Sequence, residues 1–346
     1  MTINDRDVAH ASPCVAGWPI GTSQSSVCAM FSYIARRVLQ MIPLILGITV
    51  VLFAVIQAAP GGPEAALLES DRFIDPAVIE AYRERLGVDQ PVPVQYIKWV
   101  TSAAMGDLGT SFSTTRPVSE MILERLPATL ELMGASFLLA AILAFGLGIL
   151  SAVKQYTWFD HIGTGVSFLG IAMPVFWFAL ILQLVFGVWL GWLPVAGTET
   201  VGATGFVDHI AHLVLPAFVL SFRYVAGWSR YLRSSLLGVL TADYIRTARA
   251  KGLPERSVVG VHALRNAMIP VVSVMALNMA GLFSGAVITE TVFAWPGIGR
   301  MFVQAMFSRD YPLLMGILLL GSVMVVVFNL LADVLYAVLD PRIRYE

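Results

Sequence analysis

Asp208, His209 and His212 fall on one side of a helical repeat and present a possible set of metal ligands. A histidine pair at i, i+3 is a weak metal signal, and polar residues near the end of an apolar helix account for it equally well. Arg223 and Asp333 interrupt apolar runs. Ionisable groups inside a membrane are functional candidates by default, whereas near a span end they snorkel or pair with a neighbouring helix. Nucleotide hydrolysis through a phosphate loop needs Gly-Lys, so that backbone amides and one ammonium cradle the phosphates. The lysines are Lys98, Lys154 and Lys251, preceded by Ile97, Val153 and Ala250. H-E-x-x-H and G-x-S-x-G are also missing from the sequence, which removes the common zinc-hydrolase and serine-hydrolase signatures. The expectation is a chain that is not an enzyme and binds no metal and no cofactor of its own.

The elements that position these residues follow from composition. Of 346 residues, 57% are hydrophobic and 13% charged, with mean hydropathy +0.76. Soluble domains carry about 25% charge, so this chain cannot cover a water-facing surface and its main solvent is lipid. A formal net charge of −1 implies no general attraction for nucleic acid. Cys14 and Cys28 precede the first apolar run and form no C-x-x-C pair.

A bilayer core of about 30 Å takes roughly 20 helical residues. Six stretches qualify, at about 38–59, 130–153, 162–190, 210–231, 267–290 and 311–337. The last carries enough Leu, Ile, Val and Phe between Leu313 and Ala332 to favour insertion by roughly 6 kcal/mol, which outweighs Asn329 and Ser322. The fourth is the weakest, because Pro216 and Arg223 interrupt it. The run after Arg36 and Arg37 exceeds a signal-peptide core of 7–15 residues, which favours a retained span over a cleaved leader.

Six spans put both termini on one side. Short loops there hold Arg36, Arg37, Lys154, Arg230, Arg233, Arg246, Arg249, Lys251, Arg256, Arg265, Arg342 and Arg344, against Arg300 and Arg309 opposite. The positive-inside rule makes the basic side cytoplasmic. Residues 1–30 read as a mobile cytoplasmic tail.

The 60–127 segment, with ten acids and six bases, reads as an extracytoplasmic helical cap. Asp75-Pro76 opens a short helix that Gly87 closes. A second begins near Pro91–Pro93, with Val94, Ile97 and Val100 on one side and Tyr96 and Trp99 offered to the membrane interface. Pro117 opens a third, whose Val118, Met121, Ile122 and Leu126 are spaced to lie on the membrane.

The basic segment 241–266 reads as helix, turn, helix. Thr241 would cap the first helix, Gly252 supplies a positive-φ ending, and Pro254-Glu255 opens the second at its dipole-positive end. Such an element is shaped to press on another protein. A basic loop that merely fixes topology is the other reading.

The residues themselves resemble a known family. "DYIRTARAKGLPERSVVGVHALRNAMIP" (243–270) is similar to the EAA-type coupling loop of ABC-importer permeases, in the form used by dipeptide and oligopeptide permeases. The general pattern has Glu-Ala-Ala, a Gly four residues after the second Ala, and Ile-x-Leu-Pro after nine more. Here Arg246-Thr247-Ala248, Gly252 and His262-Ala263-Leu264-Arg265 stand at those positions; Ala248, Gly252 and Leu264 match the general form, and the departures are typical of the peptide subgroup. The resemblance continues through "APGGP" (59–63), "RLGVDQPVPVQYIKWV" (85–100), "GDLGTSF" (106–112), "ERLPATLEL" (124–132), "ETVFAWPGIGRM" (290–301), "RDYPLLMG" (309–316) and "DPRIRY" (340–345). It covers nearly everything after residue 31.

The resemblance implies an all-α permease of six transmembrane helices in a bacterial cytoplasmic (inner) membrane. Its partners would be a second permease subunit, two ATPase subunits that bind ATP and Mg, and an extracytoplasmic peptide-binding protein; short peptides would be the substrate. Relatives of similar sequence carry nickel, glutathione or haem, and a proton-coupled carrier or a channel is the rival from another class. The ATPase-coupling residues would be Arg246, Thr247, Ala248, Arg249, Lys251, Gly252 and Glu255. For the pathway, Gly281-Leu-Phe-Ser284-Gly285 is a small-x-x-x-small pattern, Asn278 lies one turn before it, and Met173-Pro174 kinks span three. Ordinary helix packing explains each of these as readily.

Overall fold

A computed structural model describes residues 23–58, 90–202 and 205–339, and the following concerns those residues. The architecture is all-α. In lipid every backbone N–H and C=O must find a partner within the protein, and a helix satisfies its own. The elements are α1 (Ser23–Gln57), α2 (Val92–Ala104), α3 (Val118–Val153), α4 (Trp158–Ala172), α5 (Val175–Leu182, continued by a wide π-type stretch Gln183–Trp189), α6 (Phe206–Leu240), α7 (Asp243–Ala250), α8 (Leu264–Val292), α9 (Ile298–Phe307) and α10 (Tyr311–Leu339). One turn, Glu255–Ser257, and a second π-type stretch, Val258–Ala263, lead into α8.

Five helices are long and apolar enough to cross a membrane, and there are six if α4 and α5 together make one bent span. That bend is 112°, at Met173-Pro174, far sharper than a proline kink within a continuous helix. Elsewhere Pro43, Pro127, Pro216 and Pro270 sit inside uninterrupted helices.

The sequence reading needs three corrections here. The helix opening after Pro117 is not a separate surface element; it runs without a break into span two, and Val118 and Ile122 are buried against Ile298, Met301, Leu313 and Ile317. Tyr96 and Trp99 of α2 are half-buried and not wholly offered outward, packing edge-on and tilted against Phe53 of α1, with Tyr96 also sharing a 3.0 Å hydrogen bond with Thr49. Helix α1 begins at Ser23, inside the segment read as a tail. The helix proposed at Asp75–Gly87 lies outside the described residues.

The core is built on α6. Where α3 crosses it, a Cβ on Gly148 would lie 2.9 Å from the carbonyl oxygen of Ser229, so the two backbones meet only because that residue is glycine. Phe137 stands edge-on to Trp228 between the same helices. Leu132, Leu220, Leu282 and Trp295 fill a second cluster that joins α3, α6 and α8. Helix α1 packs chiefly along α10, with an ion pair of 3.3 Å between Arg37 and Asp333. A cavity of about 650 Å³ lies between α1, α8 and α10, lined by Leu44, Ile48, Phe283, Ile317 and Asn329 among others.

Candidate functional site

The basic segment folds as a hairpin of helices at one end of the bundle. In α7 the side chains one turn apart, Ile245 and Ala248, are buried in the cluster that contains Trp228, Leu232, Leu236, Val258, Ala263 and Ala267. Arg246, Thr247, Arg249 and Lys251 are exposed on the other side. The helix closes by a Schellman motif: Leu253 N donates to Ala248 O (3.4 Å) and Gly252 N to Arg249 O (2.9 Å), with Gly252 at φ +75°. A residue with a Cβ is strained at that angle.

Arg249 reaches across the turn to Glu255, its Nη2 and Nε donating at 2.7 and 3.2 Å. These hydrogen bonds push the Arg249 pKa still higher, so the cation is permanent. Asn266 Nδ2 donates to Tyr244 Oη at 2.9 Å, which ties α7 to the start of α8, and Ser235 Oγ donates to Ala267 O, which ties α6 to it. Thr241 is not the cap of α7. Its hydroxyl donates back to Gly238 O, ending α6, and Ala242 occupies the cap position without a side-chain bond. An apolar inner face and these bonds fix the hairpin to α6 and α8, and its outer face is exposed and carries Arg246, Arg249 and Lys251.

The pathway candidates are spread over two helices. Asn278 Nδ2 donates to Val274 O within α8, and Gly281 is exposed, its missing Cβ 3.1 Å from Tyr224 Oη of α6. The side-chain surroundings of Ser284 and Gly285 lie outside the described residues. Pro174 starts α5 at the sharp bend. Asp333 pairs with Arg37, while Arg223 is exposed at the middle of α6 and makes no ion pair or side-chain hydrogen bond among the described residues.

The histidines are committed elsewhere. His209 Nε2 lies 2.6 Å from Glu131 Oε1, His212 Nδ1 lies 2.9 Å from Asp208 O, and Asp208 accepts from Thr200 N and Oγ1. These contacts bind α6 to α3 and to the preceding loop.

Three acids that sequence reasoning passed over organise the bundle. Glu290, fully buried, accepts from Thr129 Oγ1 (2.7 Å) and Arg300 N (3.1 Å), capping α9 from the end of α8. Asp310, also fully buried, accepts from Ser111 Oγ, Ser113 Oγ, Phe112 N and Leu313 N, so it caps α10 and holds the 111–113 turn at once. Asp160 takes Arg233 bidentately at 2.7 and 2.8 Å, joining α4 to α6 near the hairpin. The sequence does signal one of them: Asp310 followed by Tyr311-Pro312 is a capped helix start. Glu290 and Asp160 carry no comparable local mark.

Membrane-spanning helices around a braced basic hairpin define a membrane transport component, and the comparisons specify which. The profile described as "Binding-protein-dependent transport system inner membrane component" matches residues 144–345, and the corresponding N-terminal profile matches 30–133. The chain belongs to this family. It is 46% identical over 318 residues to the oligopeptide transport system permease protein AppB of Bacillus subtilis (strain 168), covering 91% of this chain and 100% of that protein. It is 41% identical over 336 residues to the di/tripeptide transport system permease protein DppB of Pseudomonas aeruginosa (strain UCBPP-PA14), at 92% and 100% coverage. It is also 41% identical over 317 residues to the glutathione transport system permease protein GsiC of Salmonella paratyphi A (strain ATCC 9150 / SARB42), with the same coverages. Membership makes the chain a multi-pass inner-membrane component that works with a substrate-binding protein and an ATPase.

Proposed function

We propose that this chain is the permease subunit of an ATP-driven importer of di- and oligopeptides. Hydrolysis is supplied by two separate ATPase subunits, a second permease completes the conduit, and an extracytoplasmic protein delivers the peptide. Both termini and the hairpin are cytoplasmic, and the 60–127 segment lies outside. The observation that carries this reading is the two-faced hairpin: Ile245 and Ala248 anchor it in the bundle, while Arg246, Thr247, Arg249 and Lys251 are exposed on the side open to a partner. Named relatives for oligopeptides and di/tripeptides support the substrate class.

Nucleotide-driven closure of the ATPases then turns α7, and with it α6 and α8, as a rigid body. The test is ATP-driven peptide uptake in vesicles carrying the full assembly. Gly252→Val and Arg249→Glu are expected to keep ATP hydrolysis while losing uptake by about tenfold or more, because each disturbs the turn without emptying the core. Normal uptake by both variants would defeat the coupling role. Uptake that survives ATP depletion with the proton gradient intact would replace the importer by a proton-coupled carrier. Glutathione is the second reading, favoured by the Salmonella relative, and competition by glutathione against peptide uptake separates the two.

A further inference from the structure

We propose that Arg223 is a substrate-binding residue inside the conduit, holding the carboxylate of a passing peptide. The inference rests on the peptide-importer reading and adds to it the chemical group that is recognised.

Arg223 lies thirteen residues from the outer end and eight from the basic end of the apolar stretch 210–231. At 1.5 Å per residue that is about 12 Å from the nearer boundary, more than the stem of an arginine spans by snorkelling. The residue is exposed, and among the described residues it has neither an ion pair nor a side-chain hydrogen bond. A cation facing lipid at that depth costs at least about 2.5–3.5 kcal/mol, so this face of α6 does not meet lipid.

The neighbouring residues agree. Gly227, Arg230, Ser234 and Gly238 continue from Arg223 along one helical stripe, and a Cβ on Gly227 or Gly238 would meet no atom within 4 Å. Between Val214 and Tyr231 no large apolar side chain of α6 is exposed, whereas the lipid-type surface of α4 shows Phe159, Ile162, Phe168 and Leu169. Exposed Gly281 of α8 meets Tyr224, the residue beside Arg223, and so lies at the same depth. The result is a cationic strip on α6, bordered on α8 by exposed Gly281 and Leu277 and turned away from the chain's own core.

An uncompensated guanidinium in such a place requires an anion, and its planar fork matches a carboxylate. Every peptide with a free C-terminus carries that group whatever its side chains, so one arginine serves a mixed cargo. Arg230, seven residues on and about 10 Å nearer the basic end, is the next cation on the strip, and its guanidinium lies 5.8 Å from the Phe168 ring centre. Two cations in succession bind the carboxylate and let it move on.

The test uses the complete assembly with Cys14 and Cys28 replaced by serine and Arg223→Cys introduced. Labelling by a water-soluble thiol reagent is expected in at least one nucleotide state. Uptake of a dipeptide falls about tenfold, the loss of one charge-assisted contact. A cationic aminoethyl adduct restores most of it, and a neutral adduct of the same size does not. Amidating the dipeptide lowers uptake by the unsubstituted assembly by more than it lowers uptake by R223C. The proposal is overturned if position 223 never labels or if the neutral adduct restores uptake as well as the cationic one. It is also overturned if amidation acts equally on both, or if R223C loses the second permease on purification, which would make Arg223 half of an ion pair between subunits. Failure of the unsubstituted assembly to take up any dipeptide would sink the peptide reading instead, with labelling of position 223 still deciding whether the strip is wet.

Discussion

The hydroxyl of Thr129 donates to Glu290 across 2.7 Å and accepts the N–H of Ile298 at 2.8 Å, so one side chain of α3 completes the start of α9 from outside. Gly297 and Gly299 leave room for the carboxylate: a Cβ on Gly297 would lie 2.3 Å from it. Three helices therefore meet at a point with no space for a substitute.

Thr129→Val keeps the volume and removes both bonds. It is expected to cost about 1–3 kcal/mol of stability, and Glu290→Ala, which orphans Thr129 and Arg300 N, roughly twice that. Thermal unfolding of the purified chain in detergent, followed by tryptophan fluorescence, checks the order. Equal melting temperatures for E290A and the unsubstituted chain would remove this junction from the account.

Asp310 holds the 111–113 turn as well as its own helix. Asp310→Ala is expected to release that turn, and protease cleavage within 106–117 should appear at least about tenfold faster, the effect of losing about 1.4 kcal/mol of local stability. Asp310→Ser, which restores a cap for α10 and not the turn, should melt higher than D310A while remaining as easily cut.

Two of the ion pairs between helices, Asp160–Arg233 and Arg37–Asp333, are not equivalent. Asp160 is buried and its partner Arg233 mostly so, whereas Arg37 and Asp333 are 44% and 25% exposed. Asp160→Asn should cost about 3–5 kcal/mol, the penalty of a stranded charge; Asp333→Asn should cost no more than about 1. Similar melting temperatures for the two variants would refute the distinction.

In the middle of α8, over 271–283, the exposed positions are Leu277 and Gly281, while Leu282 and, one turn on, Ala286 are buried. In a cysteine-free background, cysteines at 277 and 281 of the assembled transporter are expected to react with a water-soluble thiol reagent, and those at 282 and 286 to resist it. Silence at 281 in every nucleotide state would take α8 off the conduit.

The hairpin was legible because its signals are local: Gly252 and Pro254 punctuate a few residues, and their backbone angles follow from their own chemistry. Thr241 shows the limit, since one hydroxyl can end the preceding helix as easily as start the next. Pro117 does open a helix, but the sequence reading missed that this helix continues through Pro127 into span two. Proline marks a boundary in water, but inside lipid a helix held by neighbours runs through it. Glu290 and Asp310 were invisible as junctions because their partners Thr129 and Ser111 lie 161 and 199 residues away in sequence. The apolar length of 162–190 is plain in the sequence, yet no composition reports that its two helices meet at a bend of 112°.

Helix α1 leans chiefly on α10, and roughly 250 residues of synthesis separate the two. At 5–20 residues per second α1 waits some tens of seconds for its principal neighbour. Until then the face that meets α10 stands open to lipid, and Arg37 has no Asp333 to answer it. The seam between these two helices is thus stitched shut only after everything between them is made, and a ribosome that stalls before α10 leaves α1 unenclosed.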